Sequence, residues 1–334
     1  MDSVKRNTTI DFVRIIASFF VLICHVHFPA PYKVSSMAVA RFAVPFFYMV
    51  SGWFLFSPED SREVIQKRIK KVIGFAARFC LMGILLYAVV NSIACLIIGK
   101  EIFYWLFEII KPDALVVLFV FNYADFLCPV MWYLFAYVYV LAIIFAVIRI
   151  GSINKAYFLI PVLLTANLVL ADVFPMLRWY HLGNWLFTAL PFVLFGQYLR
   201  NKRGIFDRLS EWILWLMIVS GIVMAIAESM FYHEHIIYFG TLFMAFGIFG
   251  LTIKGADKDW PGPVAEFGRK CTPIIFLIHF AIRKLIYAVF GLISEGIIAY
   301  LMPFIVYIIA SLIAILIVLI KNNMAADSKA KAAT

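Results

Sequence analysis

Four side chains of Asp, Arg or His lie within the first apolar run, Ile10–Phe28. Three of them, Asp11, Arg14 and His25, are the candidates for chemistry, and the fourth is His27. Ionisable groups are costly inside a membrane-like segment, so they are functional candidates by default. An imidazole with its usual pKa of about 6.5 can take a proton from a hydroxyl near pH 7. A guanidinium supplies a permanent charge for phosphate or carboxylate groups.

Helical spacing predicts that two of these side chains share one face. Arg14 and His25 are eleven residues apart, which is three turns plus roughly 20° and a rise of about 16 Å. His27 is about 200° further around than His25 and is predicted to point elsewhere. Asp11 precedes Arg14 by one helical turn and can pair with it. A structural interpretation also stays open, in which the Asp–Arg pair reaches one membrane surface and the histidine reaches the other.

The elements that must position these groups are transmembrane helices. Of the 334 residues 65% are apolar and 14% are charged, and the mean hydropathy is +0.97. The apolar residues recur in runs of roughly 17–25, long enough to cross a hydrocarbon core of about 30 Å. The sequence therefore predicts an all-α, polytopic transmembrane bundle of about ten helices. The predicted spans are Ile10–Phe28, Met37–Phe56, Val72–Ile98, Pro129–Ile148, Ala156–Val173, Trp185–Leu199, Trp212–Ser229, Ile236–Ile253, Thr272–Phe290 and Ile297–Ile320.

The distribution of basic residues predicts the orientation of the bundle. If the N-terminus is inside, the inner segments hold 20 Lys and Arg and the outer segments hold four. Short cytoplasmic loops carry such an excess, so both termini are predicted to be cytoplasmic. The same rule accounts for the net charge of +10, and no nucleic-acid partner is predicted. We expect one membrane domain over residues 1–321 and a disordered cytoplasmic tail over residues 322–334.

No metal site is predicted. The five cysteines show no CxxC spacing, which disfavours both a zinc site and a disulfide framework. His233-Glu234-His235 offers neighbouring donors on a short outer loop. A third strong ligand at useful spacing is not evident, so we predict no metal ion there.

Two motifs resemble the acyltransferase-3 family of integral membrane enzymes, which O-acylate sugars and other envelope molecules. The first is the Arg14-x10-His25 spacing, and the second is Phe46–Gly52, which resembles the family's FF-x-x-SG segment with one residue more. Weaker resemblances to family motifs follow, in the same order as in the family, over nearly the whole chain. They are Met131–Leu134, Leu190–Gly196 and Cys271–His279.

The chain departs from the family pattern where the third predicted helix begins. Many members carry R-x-x-R there, whereas this chain has Arg68-Ile-Lys-Lys71. Lysine keeps the charge but lacks the planar fork, which weakens the expectation of bidentate phosphate contact.

The resemblance implies transfer of an acyl group, acetyl above all, from cytoplasmic acyl-CoA to an envelope glycan or its lipid-linked sugar precursor. It implies acetyl-CoA as cosubstrate and a multi-pass protein of the bacterial inner membrane, with the lipid bilayer as its surroundings. His25 becomes the expected general base or transient acyl carrier, and Arg14 a donor-binding or ion-pairing residue. The other expected donor-binding residues are Arg68, Lys70, Lys71 and Arg78.

Four further residues are candidates for binding the acceptor, each with a structural alternative. Arg41 either approaches His25 or anchors a helix at the interface. For Trp132 and Tyr133 we favour the structural alternative, an interface or packing role. His279, in the middle of the ninth predicted helix, either orients substrate or bonds a neighbouring helix. For Ser51 and Gly52 we favour close helix packing over a nucleophile, because GxSxG is absent.

Two rival functions stay open on sequence grounds. One is a secondary transporter of a small polar solute, with Arg14 and His25 on an ion or proton pathway. The membrane part of certain serine racemases resembles the same family and is thought to carry substrate. The other is a structural or assembly subunit, in which both residues would be replaceable.

Overall fold

The computed structural model describes residues 7–108, 112–124, 128–151, 153–174, 176–177, 179–231, 235–292 and 295–333. Over these ranges the chain is helical and contains no strand. The α-helices are α1 Thr8–Ile23, α2 Tyr32–Ala40, α3 Ala43–Leu55, α4 Arg62–Ile97, α5 Pro112–Phe121, α6 Trp132–Ile150, α7 Leu159–Val173, α8 Trp179–Leu182, α9 Leu190–Asn201, α10 Gly204–Arg208, α11 Glu211–Phe231, α12 Phe239–Lys254, α13 Gly262–Glu266, α14 Thr272–Phe290 and α15 Gly296–Ala333.

Polar side chains fix where the helices that carry the candidate residues begin. The Asn7 side chain accepts a hydrogen bond from the Ile10 backbone N–H at 3.2 Å and caps α1. Ser61 caps α4 in the same way. Such caps satisfy N–H groups that have no partner within the helix. Two π-helical turns, Trp185–Ala189 and Phe267–Cys271, lead directly into α9 and α14.

Within the described ranges, seven helical segments are long and apolar enough to cross a membrane. They are Tyr32–Leu55, Arg62–Ile97, Pro129–Ile150, Ile153–Val173, Glu211–Phe231, Gly262–Phe290 and Gly296–Ala326. All ten predicted spans are helical, but those represented by α1, α9 and α12 contain 16, 12 and 16 residues. The protein is therefore a multi-pass helical membrane protein with seven candidate spans. The count of ten and the cytoplasmic termini remain predictions.

Glycines allow α3 and α9 to approach at backbone contact. A Cβ placed on Gly52 would lie 2.0 Å from the Val193 carbonyl oxygen, and one on Gly196 would lie 2.0 Å from that of Met49. Small residues at helix interfaces permit this approach in membranes. The packing interpretation of Gly52 is thus confirmed, and Ser51 donates to the Phe47 carbonyl oxygen at 2.8 Å within its own helix.

The last helix continues through the segment for which the sequence predicts disorder. α15 ends at Ala333 and not near Lys321. Alanine and lysine, which dominate this segment, are strong helix formers, and no proline interrupts it. Residues 322–333 are therefore helical in the structure, and the expected irregular tail is not observed there.

Reporter fusions test the predicted orientation. Fusions after Phe56, Arg149, Arg200 and Lys254 are each expected to report cytoplasm, because the basic segments that follow the even-numbered predicted spans should stay inside. A matched fusion after Lys100, in a segment predicted to lie outside, should give the opposite signal. An outside signal at two or more of the four inner positions would contradict the ten-helix topology.

Candidate functional site

A cavity of about 700 Å³ lies among α1, α3, α4, α6 and α14. A volume of this size suits a small-molecule site. Its walls are mostly apolar and aromatic, but among the described lining residues are four arginines and two histidines and no Asp or Glu. These charged and titratable residues are Arg14, His25, His27, Arg41, Arg269 and Arg283. The described lining of the cavity is thus basic and contains no carboxylate of its own.

One end of the cavity is formed where α1 meets the π-helical turn before α14. Asp11 is 1% exposed, and its Oδ1 lies 3.0 Å from Nη1 of Arg14. A Cβ on Gly268 would lie 1.9 Å from the Asp11 carbonyl oxygen, so this turn packs directly on the α1 backbone. The contact brings the exposed Arg269 to the same end as Arg14. Two guanidinium groups therefore line this end.

His25 lies towards the other end, next to α14. Its ring centroid is 5.3 Å from that of His279 and 5.8 Å from that of Phe280. Nδ1 of His279 lies 3.0 Å from the Ile275 carbonyl oxygen. Because a carbonyl only accepts, Nδ1 carries the proton, and Nε2 of the neutral ring is left as an acceptor. His279 thus contacts His25 with a ring whose orientation is fixed by its own helix.

The position of His27 differs from the prediction. α1 ends at Ile23, and the His25 N–H bonds the Leu22 carbonyl oxygen at 2.9 Å in a tighter turn. Helical spacing no longer applies beyond Ile23, and His27 also lines the cavity. Its Nδ1 is 3.1 Å from the Ile23 carbonyl oxygen. The prediction that His27 points away from the cavity is therefore wrong.

Arg41 and Arg283 line the cavity from two different helices. Arg41 follows the last residue of α2, and Arg283 lies on α14. The Arg283 guanidinium lies over the rings of Phe280 and Tyr287, with its central carbon 5.2 Å and 5.1 Å from their centroids. The Nε atoms of both arginines are buried and have no hydrogen-bond partner among the described residues.

Trp132 and Tyr133 form part of the aromatic wall of the cavity. The Tyr48 hydroxyl donates to the Tyr133 carbonyl oxygen at 3.0 Å, and the two rings stack at 4.4 Å. Nδ2 of Asn122 donates to the Trp132 carbonyl oxygen at 3.1 Å. Backbone anchors therefore hold both aromatic side chains where α6 begins.

The other expected donor-binding residues lie outside the described lining of the cavity. Arg68 pairs with Asp60 at 2.7 Å and donates to the Leu55 carbonyl oxygen at 3.2 Å. The Ser57 backbone N–H and the Arg68 guanidinium both lower the pKa of Asp60, so this pair ties the loop before α4 to the end of α3. Lys70, Lys71 and Arg78 are exposed.

Lys70 lies over the Phe145 ring at 5.6 Å, and Nε of Arg78 donates to the Gly74 carbonyl oxygen at 3.1 Å. Each of these two cations therefore has a local partner on or beside α4. Donor binding by Arg68, Lys70, Lys71 and Arg78 stays a prediction.

No group of three His, Cys, Asp or Glu side chains within the described ranges is placed to hold a metal ion. His233 and Glu234 lie outside those ranges. Nε2 of His235 is 3.3 Å from Oδ1 of Asp172, so this histidine has a protein partner.

Sequence reasoning did not assign Arg269 or Arg283 to the site. Arg283 carried a usable signal, since it is a charged residue inside a predicted span. Pro273, Phe276, Phe280 and Arg283 recur at helical spacing and all line the cavity. One face of α14 therefore runs along the cavity from the Arg269 end to Arg283.

The family model described as an acyltransferase domain, Acyl_transf_3, matches residues 7–321. The chain belongs to the acyltransferase-3 family. The match covers nearly the whole chain, including every residue that lines the cavity. No curated protein and no solved structure matches the chain. Family membership and the candidate spans together make the protein a membrane acyltransferase.

Proposed function

We propose that this acyltransferase moves an acetyl group from cytoplasmic acetyl-CoA to a hydroxyl of an envelope glycan or its lipid-linked sugar precursor, in the bacterial inner membrane. One observation carries the proposal. A single cavity has Arg14 and Arg269 at one end and His25 towards the other. Family membership supports acyl transfer, while the donor, the acceptor and the acetyl group belong to the proposal.

The donor would bind with its phosphates near Arg14 and Arg269. Guanidinium groups suit phosphate because they donate two parallel hydrogen bonds. The wall between the two ends includes Val72, Phe79 and Phe276, which suits the uncharged pantetheine arm. From Arg14 to Ile23, where α1 ends, the helix rises about 14 Å, and His25 follows two residues later, so the separation is comparable to the length of that arm. The thioester would then lie beside His25.

His25 would act as the general base. Its imidazole accepts the proton of the acceptor hydroxyl while the hydroxyl oxygen bonds to the thioester carbonyl carbon. Collapse of the tetrahedral intermediate breaks the carbon–sulfur bond, and the thiolate takes the proton from His25. The products are an O-acetyl ester and CoA. His279 would act as a positioning residue, since its ring contacts that of His25.

The proposal predicts the O-acetyl content of the envelope. Glycan from cells that express the protein is expected to contain O-acetyl esters that are missing after deletion of its gene. Re-expression of the wild-type chain should restore them, and re-expression of His25→Ala should not. Equal ester content in all four samples would contradict the proposal.

A solute transporter would use the same cavity differently, and isotope transfer separates the two functions. Membranes incubated with acetyl-CoA labelled in the acetyl group are expected to gain label in glycan. A transporter would leave glycan unlabelled and would instead accumulate solute in sealed vesicles. An assembly subunit would do neither and would tolerate replacement of both Arg14 and His25.

The placement of Arg269 predicts a donor-specific effect. Arg269→Gln is expected to raise the Michaelis constant for acetyl-CoA by about three- to tenfold with kcat nearly unchanged, because one charge-assisted contact would be lost in both ground and transition states. Lys270→Gln is the matched control, since Lys270 pairs with Glu266 at 2.5 Å and is absent from the cavity lining. A change confined to the acceptor dependence of Arg269→Gln would contradict this assignment.

A further inference from the structure

Two arginines near His25 are not used by the proposed donor or by the base. Arg41 and Arg283 line the cavity together with His25, and Arg283 and His25 both contact the ring of Phe280. The Arg14 and Arg269 end lies about three helical turns away along α1. Phosphates bound there would leave Arg41 and Arg283 without a role in donor binding.

The hydrogen-bonding state of this pair indicates a missing partner. The Nε atoms of Arg41 and Arg283 are buried without an acceptor among the described residues. The Arg283 guanidinium lies over the rings of Phe280 and Tyr287, and these contacts leave its Nε–H without an acceptor. Buried donors in native proteins usually have a partner, whether protein, water or ligand.

The partner that suits these donors is an anion. The described lining residues include no Asp or Glu that could neutralise the two charges. A guanidinium fork matches the oxygen geometry of a carboxylate or phosphate. The oxyanion of acyl transfer would neutralise the two arginines only in the transition state. An anionic group on the acceptor would pair with them throughout turnover.

We propose that Arg41 and Arg283 form an anion-binding site beside His25, and that the acceptor hydroxyl is carried by a molecule bearing a carboxylate or phosphate group. The proposal rests on the proposed acetyl transfer and narrows its acceptor to acidic sugars. The anion fixes the acceptor at the His25 end and leaves the hydroxyl beside the imidazole.

Binding to purified protein in detergent tests the proposal without relying on turnover. The probes are galactose, galacturonate and galactose 1-phosphate, each titrated in the presence of saturating CoA and with CoA absent. At least one of the two acidic probes should bind about tenfold more tightly than galactose, or tighter still, because charge-assisted contacts to a buried site are strong. The stronger acidic probe identifies carboxylate or phosphate as the preferred group.

Matched variants locate the binding. Arg41→Gln and Arg283→Gln are expected to weaken acidic-probe binding by about tenfold or more while CoA affinity is kept. Lys33→Gln and Lys284→Gln are the matched controls, because they remove one positive charge each from α2, which ends just before Arg41, and from α14, which carries Arg283. Lys33 is exposed and Lys284 bonds Asn91, so neither should change probe binding. Retained CoA binding shows that a variant is folded. If Arg283→Gln does not fold, Arg283→Lys takes its place as a variant that preserves the charge.

Three results would overturn the proposal. Competition between CoA and the acidic probes would assign the two arginines to the donor. Equal binding of galactose and both acidic probes, including no detectable binding of any, would remove the anion site. Unchanged probe binding with lost turnover in Arg41→Gln and Arg283→Gln would assign the two arginines to the transition-state oxyanion.

A different result would count against acetyl transfer alone. It is failure of label transfer by wild-type protein that still binds the acidic probes.

Discussion

Replacing His25 with alanine is expected to lower the rate of acyl transfer by about 10²–10⁴-fold, the usual contribution of a positioned general base. Without His25 the acceptor hydroxyl would have to lose its proton to water. The rings of His279 and Phe280 contact His25 from α14, but they do not occupy the position of the missing imidazole. The measurement is the initial rate of label transfer from acetyl-CoA in membranes with matched protein levels.

His27→Ala is the matched control because both histidines line the cavity and lie two residues apart. Nδ1 of His27 is near the Ile23 carbonyl oxygen, whereas it is the ring of His25 that lies 5.3 Å from that of His279. This variant is expected to keep most of the activity. An inactive His27→Ala beside an active His25→Ala would reverse the assignment of the base.

Gly196→Ala is expected to destabilise the folded protein by about 3 kcal/mol, at the upper end of the range for overpacking. The added Cβ would lie 2.0 Å from the Met49 carbonyl oxygen, so α3 and α9 must separate. Because α3 carries Phe47 and Ser51 into the cavity wall, activity should fall with stability. The measurement is the temperature at which the detergent-solubilised protein loses its monodisperse chromatographic peak.

Gly74→Ala provides the comparison for this loss. A Cβ on Gly74 meets nothing within 4 Å, and alanine favours a helix over glycine by up to about 1 kcal/mol. This variant should therefore be as stable as the wild type or slightly more stable. Equal melting of Gly196→Ala and Gly74→Ala would contradict the backbone contact between α3 and α9.

Local spacing was sufficient where a single helix carries the information. The apolar runs can be read from local composition. Arg14 and His25 lie on α1 or directly after it, and the structure places both side chains in one cavity. Beyond Ile23, where α1 ends, helical spacing applies to neither histidine, and His27 lines the cavity as well as His25. The three shorter spans also show that an apolar run does not fix the length of its helix.

Contacts between distant segments could not be predicted in this way. Arg269 counts as a basic loop residue in the sequence, and the packing of Gly268 on Asp11 brings it to the same end of the cavity as Arg14. Arg68 was expected to bind the donor, but its position depends on Asp60 in the loop before α4. Which face of α14 meets the cavity, and so the position of Arg283, depends on the helices packed around it.

The central claim is that a cytoplasmic donor and an acceptor from the opposite side meet at His25 within one cavity. Sealed inside-out and right-side-out vesicles from the producing cells, given membrane-impermeant labelled acetyl-CoA on the outside, test this claim most directly. Label is expected to enter glycan in inside-out vesicles carrying the wild-type protein, and to be absent from right-side-out vesicles and from both orientations of His25→Ala. Equal labelling in both orientations, or by wild type and His25→Ala alike, would contradict it.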